Sequence, residues 1–166
     1  MATVTLKGEK ANTSGELPKV GEKAPDFKLT STELETKSLK DYEGYNLILN
    51  IFPSIDTNTC ALSVRQFNRQ ATKLPDTKVL CVSRDLPFAM KRFVGNDNVK
   101  NVVSLSDYKD GNFGRTYGLE FVNGPLDTLL SRCVVVINKK GEVIYTEQVP
   151  EIVDEPNYDA AINSLS

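Results

Sequence analysis

The chain contains no histidine. That excludes Ser-His-Asp and Cys-His catalysis, and with them most zinc sites, because each needs an imidazole as base or ligand. Cysteine is scarce as well. Cys60, Cys81 and Cys133 form an odd, widely spaced set that suits neither a disulfide scaffold nor a paired CxxC metal site. A cysteine that reacts here must therefore be activated by something other than imidazole. Long hydrophobic runs are also missing: the most apolar stretches, NLILNIF at 46–52 and CVVVI at 133–137, are far too short to span a bilayer. The 20 basic and 22 acidic residues are interspersed, so no basic stripe points to nucleic acid and no polybasic block to anionic lipid. The N-terminal MATVTLKGEKANTSG lacks the basic start and apolar core of a secretory signal, and the expected location is cytoplasmic.

What is present is an ordinary globular mix, 40% apolar and 25% charged over 166 residues, the size of one domain spanning 1–166. TVTLKG and GELPKVGEKAP near the start predict short strands and turns, a hairpin. DFKLT at 26–30 reads as an edge strand and NLILNIF as a buried one ended by Pro53. From Thr57 the period changes, with Val64, Phe67, Ala71 and Leu74 on one helical face. TKVLCVS at 77–83 is a second buried strand, and Asp85 is placed to cap a helix with Pro87 in its first turn. NVVSLS at 101–106 gives a third strand, followed by a short helix near 112–117. Strands at 132–138 and 142–149 are joined by the turn NKKG, and a helix opening at Pro156 closes the chain. Parallel βαβ units followed by an antiparallel hairpin predict a thioredoxin-like α/β fold, a central mixed sheet with helices on both faces.

In this reading Cys60 lies in the first turn of the helix that follows a central strand, with Asp56, Thr57 or Thr59 as the N-cap. A helix N-terminus offers unpaired N–H groups and partial positive charge, and both stabilise a thiolate. The size of that effect decides reactivity. A thiol of pKa about 8.5 is a few per cent ionised at neutral pH, whereas one of about 6 is roughly nine-tenths ionised. Position alone does not settle the role, because a buried cysteine is more often a small apolar residue.

Pro53, Thr57 and Cys60 spell P-x3-T-x2-C directly after a buried strand. The motif resembles the active-site signature of peroxiredoxins. FPSIDTNTC, VLCVSRDLPFAMKRF, the GPL at 124–126 and RCVVVINKKGEVIY extend the resemblance over essentially the whole chain, to the bacterial thiol peroxidase subgroup. The resemblance implies that Cys60 is the peroxidatic cysteine and becomes a sulfenic acid. It further implies that the Thr57 hydroxyl bonds thiolate and peroxide, that Pro53 shapes the pocket and shields the sulfur, and that Arg132 stabilises developing charge from a distant strand. By resemblance the substrates are hydrogen peroxide and alkyl hydroperoxides, the reductant is thioredoxin, the assembly is a homodimer, and no metal or organic cofactor takes part. Phe52, Ile55 and Phe93 are candidates to receive an alkyl tail.

One position departs from the pattern. Where the subgroup carries a resolving cysteine, in a segment like RFCG, this chain has Arg92-Phe93-Val94-Gly95. Three explanations stand open: an engineered replacement, which is preferred because the match is otherwise full; a natural one-cysteine form; or resolution by Cys81 or Cys133. Cys81 falls mid-strand, and the Cys133 side chain points away from that of Arg132 on an extended strand, so neither is well placed. Among rival functions, a cysteine phosphatase needs C-x5-R but Cys60 and Arg65 give C-x4-R, and dithiol exchange fails because Thr57 holds the first position of CxxC. A monothiol glutathione-linked enzyme and a redox-sensing or binding module that relays oxidation to a partner remain as alternatives.

Overall fold

The computed structural model describes residues 1–166. Two strands, β1 (Thr3–Leu6) and β2 (Glu9–Asn12), form a separate antiparallel hairpin. Its two-residue turn, Lys7-Gly8, has positive φ at both positions, 51° and 88°. Such a turn matches the right-handed twist of the strands. The hairpin expected near the N-terminus is therefore present, but its second strand is EKAN; GELPKVGEKAP runs as an irregular connection containing no strand.

The main sheet has seven strands in the order β4-β3-β7-β6-β5-β8-β9. Its parallel centre is β5 (Asn46–Ile51), β6 (Thr77–Ser83) and β7 (Val103–Ser106), linked by α1 (Asn58–Ala71) and α2 (Pro87–Asp97). On one side β8 (Cys133–Ile137) and β9 (Val143–Gln148) pair antiparallel to it. On the other, β3 (Leu29–Ser31) pairs with β7 and with β4 (Thr36–Lys37). The predicted strand at 26–30 is thus shorter and shifted, and it is interior; β4 takes the edge. α3 (Asn112–Thr116) and α4 (Tyr158–Asn163) complete the order. No helix is long and apolar enough to cross a membrane.

Alternation along the central strands divides the core. Leu47, Leu49 and Ile51 join Leu80, Val82, Cys133 and Val135 on one face, packed with Phe113 and Tyr117 of the α3 region. Ile48 and Phe52 join Val79, Cys81, Val134 and Val136 on the other, beneath Val64 and Phe67 of α1 and Ala161 of α4. Each face buries enough apolar surface to hold its helices, at roughly 1.5–3 kcal/mol per fully buried large side chain. Cys60 and Cys81 fall on the α1 side and Cys133 on the opposite side. In the antiparallel pairing Cys133 faces Ile51. Arg132, one residue earlier, therefore arrives where β5 ends and Pro53 begins.

Candidate active site

The β5–α1 connection is built from its own hydrogen bonds. Pro53 has no N–H to give a neighbouring strand, and the chain turns away from the sheet there. The Ser54 carbonyl accepts from the Thr57 backbone N–H at 3.2 Å and from the Thr57 hydroxyl at 3.1 Å. Thr57 then caps α1, its Oγ1 accepting from the Cys60 N–H at 3.4 Å. Of the three possible caps, the chain uses Thr57, which holds Cys60 at the third helical position. The Cys60 carbonyl is tied underneath, where Ser63 Oγ donates to it at 2.7 Å and in turn accepts from Asn50 Nδ2 at 3.1 Å. Cys60 is fully buried in this turn.

Arg132 approaches the same turn from the end of β8 and is only 2% exposed. Its Nε donates to the Ile152 carbonyl at 2.8 Å, which fixes the plane of the guanidinium. Nη1 is buried and has no partner, and no carboxylate forms an ion pair with the group. A buried, uncompensated donor costs on the order of 1–3 kcal/mol, more when charged. A charge kept at that cost in a cleft is a place for an anion.

That cleft, of about 330 Å³, is lined by Pro53, Ser54, Thr57, Asn58, Thr59 and Arg132. Leu6, Leu126, Leu129, Ile152 and Val153 supply its apolar wall. Thr59 Oγ1 of α1 donates to the Val153 carbonyl at 2.9 Å, which holds that wall against the helix. Glu151 accepts from the N–H groups of Lys7 and Gly8 at 3.1 and 3.0 Å, which ties the hairpin turn to the same segment. The arrangement unites a helix N-terminus, a fixed unpaired cation and an apolar pocket around one cysteine-bearing turn. It suits a thiolate attacking an oxygen on which negative charge grows.

Comparison with known proteins agrees with that chemistry. The Redoxin family profile matches residues 19–162. The chain is 50% identical over 165 residues to the thiol peroxidase of Mycobacterium tuberculosis, covering 99% of each. It is 46% identical over 166 residues to that of Corynebacterium glutamicum, covering the whole of both. The chain belongs to the bacterial thiol peroxidases of the Redoxin family. Its fold superposes on a peroxiredoxin-like protein from Aquifex aeolicus with a TM-score of 0.93 at 35% identity, covering 99% of this chain and 96% of that one. A thiol peroxidase from Chromobacterium violaceum shares the fold at a TM-score of 0.91 and 21% identity, covering 98% and 94% of the two chains.

Pro53, Thr57 and Arg132 thus line one cleft of the peroxidase, and Cys60 lies in the turn that Thr57 caps. Val94 does not line the cleft. It is half-buried on α2, packed against the same apolar cluster that holds Cys60, and α2 is held to α1 by the Arg65–Asp97 ion pair. Phe52 and Ile55 are core residues at 1% and 5% exposure and Phe93 packs on that core, so the apolar cleft wall is made of residues other than these three. Leu6 and Ile152 carry no readable signal, since they lie 54 and 92 residues from Cys60 and only the tertiary contacts collect them.

Asp85 does not cap α2, contrary to the expectation from its position. The cap of α2 is Leu86, with Pro87 at the first helical position, and Asp85 gives it no side-chain bond. The carboxylate instead accepts from Ser54 Oγ and from the Ile55 N–H, both at 2.7 Å, and from Ser83 Oγ at 2.5 Å. The two strand cysteines lie within the sheet. Burial pushes the Cys81 thiol up to about 12, against a weak opposing hydrogen bond from Asn50. Burial likewise pushes Cys133 up to about 12, opposed by a hydrogen bond with Ser131.

Proposed function

We propose that this enzyme reduces hydroperoxides through Cys60, with Thr57, Arg132 and Pro53 as the groups that bind and activate the peroxide. The thiolate attacks the nearer oxygen; the S–O bond forms as the O–O bond breaks. The departing oxygen takes up a proton and leaves as water or an alcohol, and the sulfur is left as a sulfenic acid. Thr57 turns its hydroxyl proton from the Ser54 carbonyl toward the reacting oxygens. Arg132 holds the growing negative charge, and Pro53 keeps water from the sulfur.

The observation that carries this reading is Arg132, which lines the cleft together with Thr57 and whose buried Nη1 has no partner. The apolar wall of Leu6, Leu126, Leu129, Ile152 and Val153 favours alkyl hydroperoxides alongside hydrogen peroxide. The enzyme works as a single domain in the cytoplasm, as a homodimer, and thioredoxin returns it to the reduced state.

Val94 occupies the position of the resolving cysteine, as an engineered replacement or as part of a natural one-cysteine form. The high pKa of Cys81 and Cys133 counts against either serving in its place. Val94 also favours a second reading, in which the sulfenic acid relays oxidation to a partner protein. Sustained turnover with thioredoxin supports the enzyme; a single turnover supports the relay.

The direct test treats the reduced protein with one equivalent of peroxide and maps the product by mass spectrometry. Rapid oxidation confined to Cys60, trapped as a sulfenic acid, is expected. Primary oxidation at Cys81 or Cys133 would overturn the assignment.

A further inference from the structure

We infer that Asp85 is the positioning residue of the peroxide-reacting turn, acting on Cys60 through Ser54 and Thr57. The inference rests on Cys60 being the reactive thiol. Asp85 belongs to a different connection, the one between β6 and α2, yet two of its three side-chain bonds go to the β5–α1 loop.

The links run in sequence. Asp85 Oδ1 accepts from Ser54 Oγ and Oδ2 from the Ile55 N–H. Together they hold the peptide whose carbonyl, on Ser54, accepts both donors of Thr57. Thr57 then receives the Cys60 N–H, and it lines the cleft together with Arg132. Asp85 itself is anchored from the sheet. Ser83 Oγ donates to its carboxylate, and its own carbonyl accepts from Ser106 Oγ at the end of β7.

No lysine or arginine pairs with the Asp85 carboxylate, although Arg84 beside it is engaged by Asp107 and Glu120. Charge-assisted bonds to hydroxyl and amide donors are therefore the whole of its side-chain partnership, and such bonds are about twice as strong as neutral ones. A reaction that depends on placing an oxygen within a fraction of an ångström of the sulfur is sensitive to this kind of anchoring. A simple electrostatic role has the opposite sign, because removing a nearby negative charge favours a thiolate.

The test compares Asp85→Asn, Ser54→Ala and the double variant by quenched-flow mass spectrometry. It measures the second-order rate constant for Cys60 oxidation by hydrogen peroxide and by cumene hydroperoxide, well below each variant's melting temperature. Asp85→Asn is expected to slow both peroxides about 10- to 100-fold and Ser54→Ala about 5-fold, with the double variant close to Asp85→Asn because both act along one chain of bonds. A rate equal to or faster than that of the unsubstituted protein in both single variants, whatever their melting temperatures, would overturn the inference. So would additive losses in the double variant. If Asp85→Asn does not fold, Ser54→Ala decides alone. Peroxide reacting first at another cysteine of the unsubstituted protein would remove the reading of Cys60 itself, a result recognisable before any variant is made.

Discussion

Cys60 and Cys81 are packed into the same apolar cluster and both are withdrawn from solvent, yet their backbones offer opposite surroundings. Cys81 sits in the middle of the sheet, paired with Asn50 on one side and Ser104 on the other, so the neighbouring N–H groups are spent in the ladders. Its only side-chain donor is Asn50 at 3.8 Å. Cys60 sits at the opening of a 14-residue helix, with a capping hydroxyl one turn back and an unpaired guanidinium sharing the cleft at that helix end. In the proposed reaction that difference in surroundings is what separates the two, since a helix N-terminus and a nearby cation both favour an anionic sulfur.

Replacing each cysteine breaks the comparison most sharply. Cys60→Ser should lower peroxidase activity more than about 10³-fold, because the proposed nucleophile is gone. Cys81→Ser and Cys133→Ser should leave the rate constant within about twofold while costing stability of roughly 1–3 kcal/mol for a buried hydroxyl. Steady-state rates and thermal melts on the three variants separate the two effects. Arg132→Met comes next. It keeps the volume and removes the charge, and should slow Cys60 oxidation about 10²- to 10³-fold. Peroxide kinetics unchanged by that substitution would remove the cation from the comparison.

Val94→Cys is a milder change in packing, below about 1.5 kcal/mol, and sharpens the comparison from the other helix. Peroxide treatment is expected to join Cys60 to the introduced thiol in a disulfide, read as a cross-linked peptide; finding none would reject position 94 as the place of a resolving thiol. The smallest effect is on alkaline stability. A thiol raised to about 12 in the folded state keeps its proton while the unfolded one, near 8.5, has lost it. Stability from this source is complete below about pH 8.5 and declines between there and about pH 12. The melting temperature should therefore fall less between pH 8 and pH 10.5 in Cys81→Ala than in the unsubstituted chain, each measured against its own value at pH 8.

The parts of the site that are legible in sequence are local. TKVLCVS coincides with β6, and Thr57, three residues before Cys60, caps α1. Both follow from short-range preferences, a β-branched apolar run and a hydroxyl at a helix start. Reading Asp85 as a helix cap fails for the same reason. An acidic residue two positions before a helical proline has a local explanation, and nothing in its neighbours reveals that Ser54 and Ile55 lie within reach. The edge strand is likewise illegible, because two residues, Thr36 and Lys37, are too few to leave a periodic signal but enough to cover β3.

By itself the sequence determined the chemistry available to this protein: no imidazole, one cysteine at a helix start after P-x3-T, and no thiol at position 94. Tertiary structure alone decided that Arg132 stands without a counter-ion, that Leu6 and Ile152 wall the cleft, and that Asp85 bonds to the β5–α1 loop. The reason is physical. Capping and alternation are set by residues a few positions apart, whereas burial, missing partners and cross-loop bonds exist only once strand pairing has brought distant segments together.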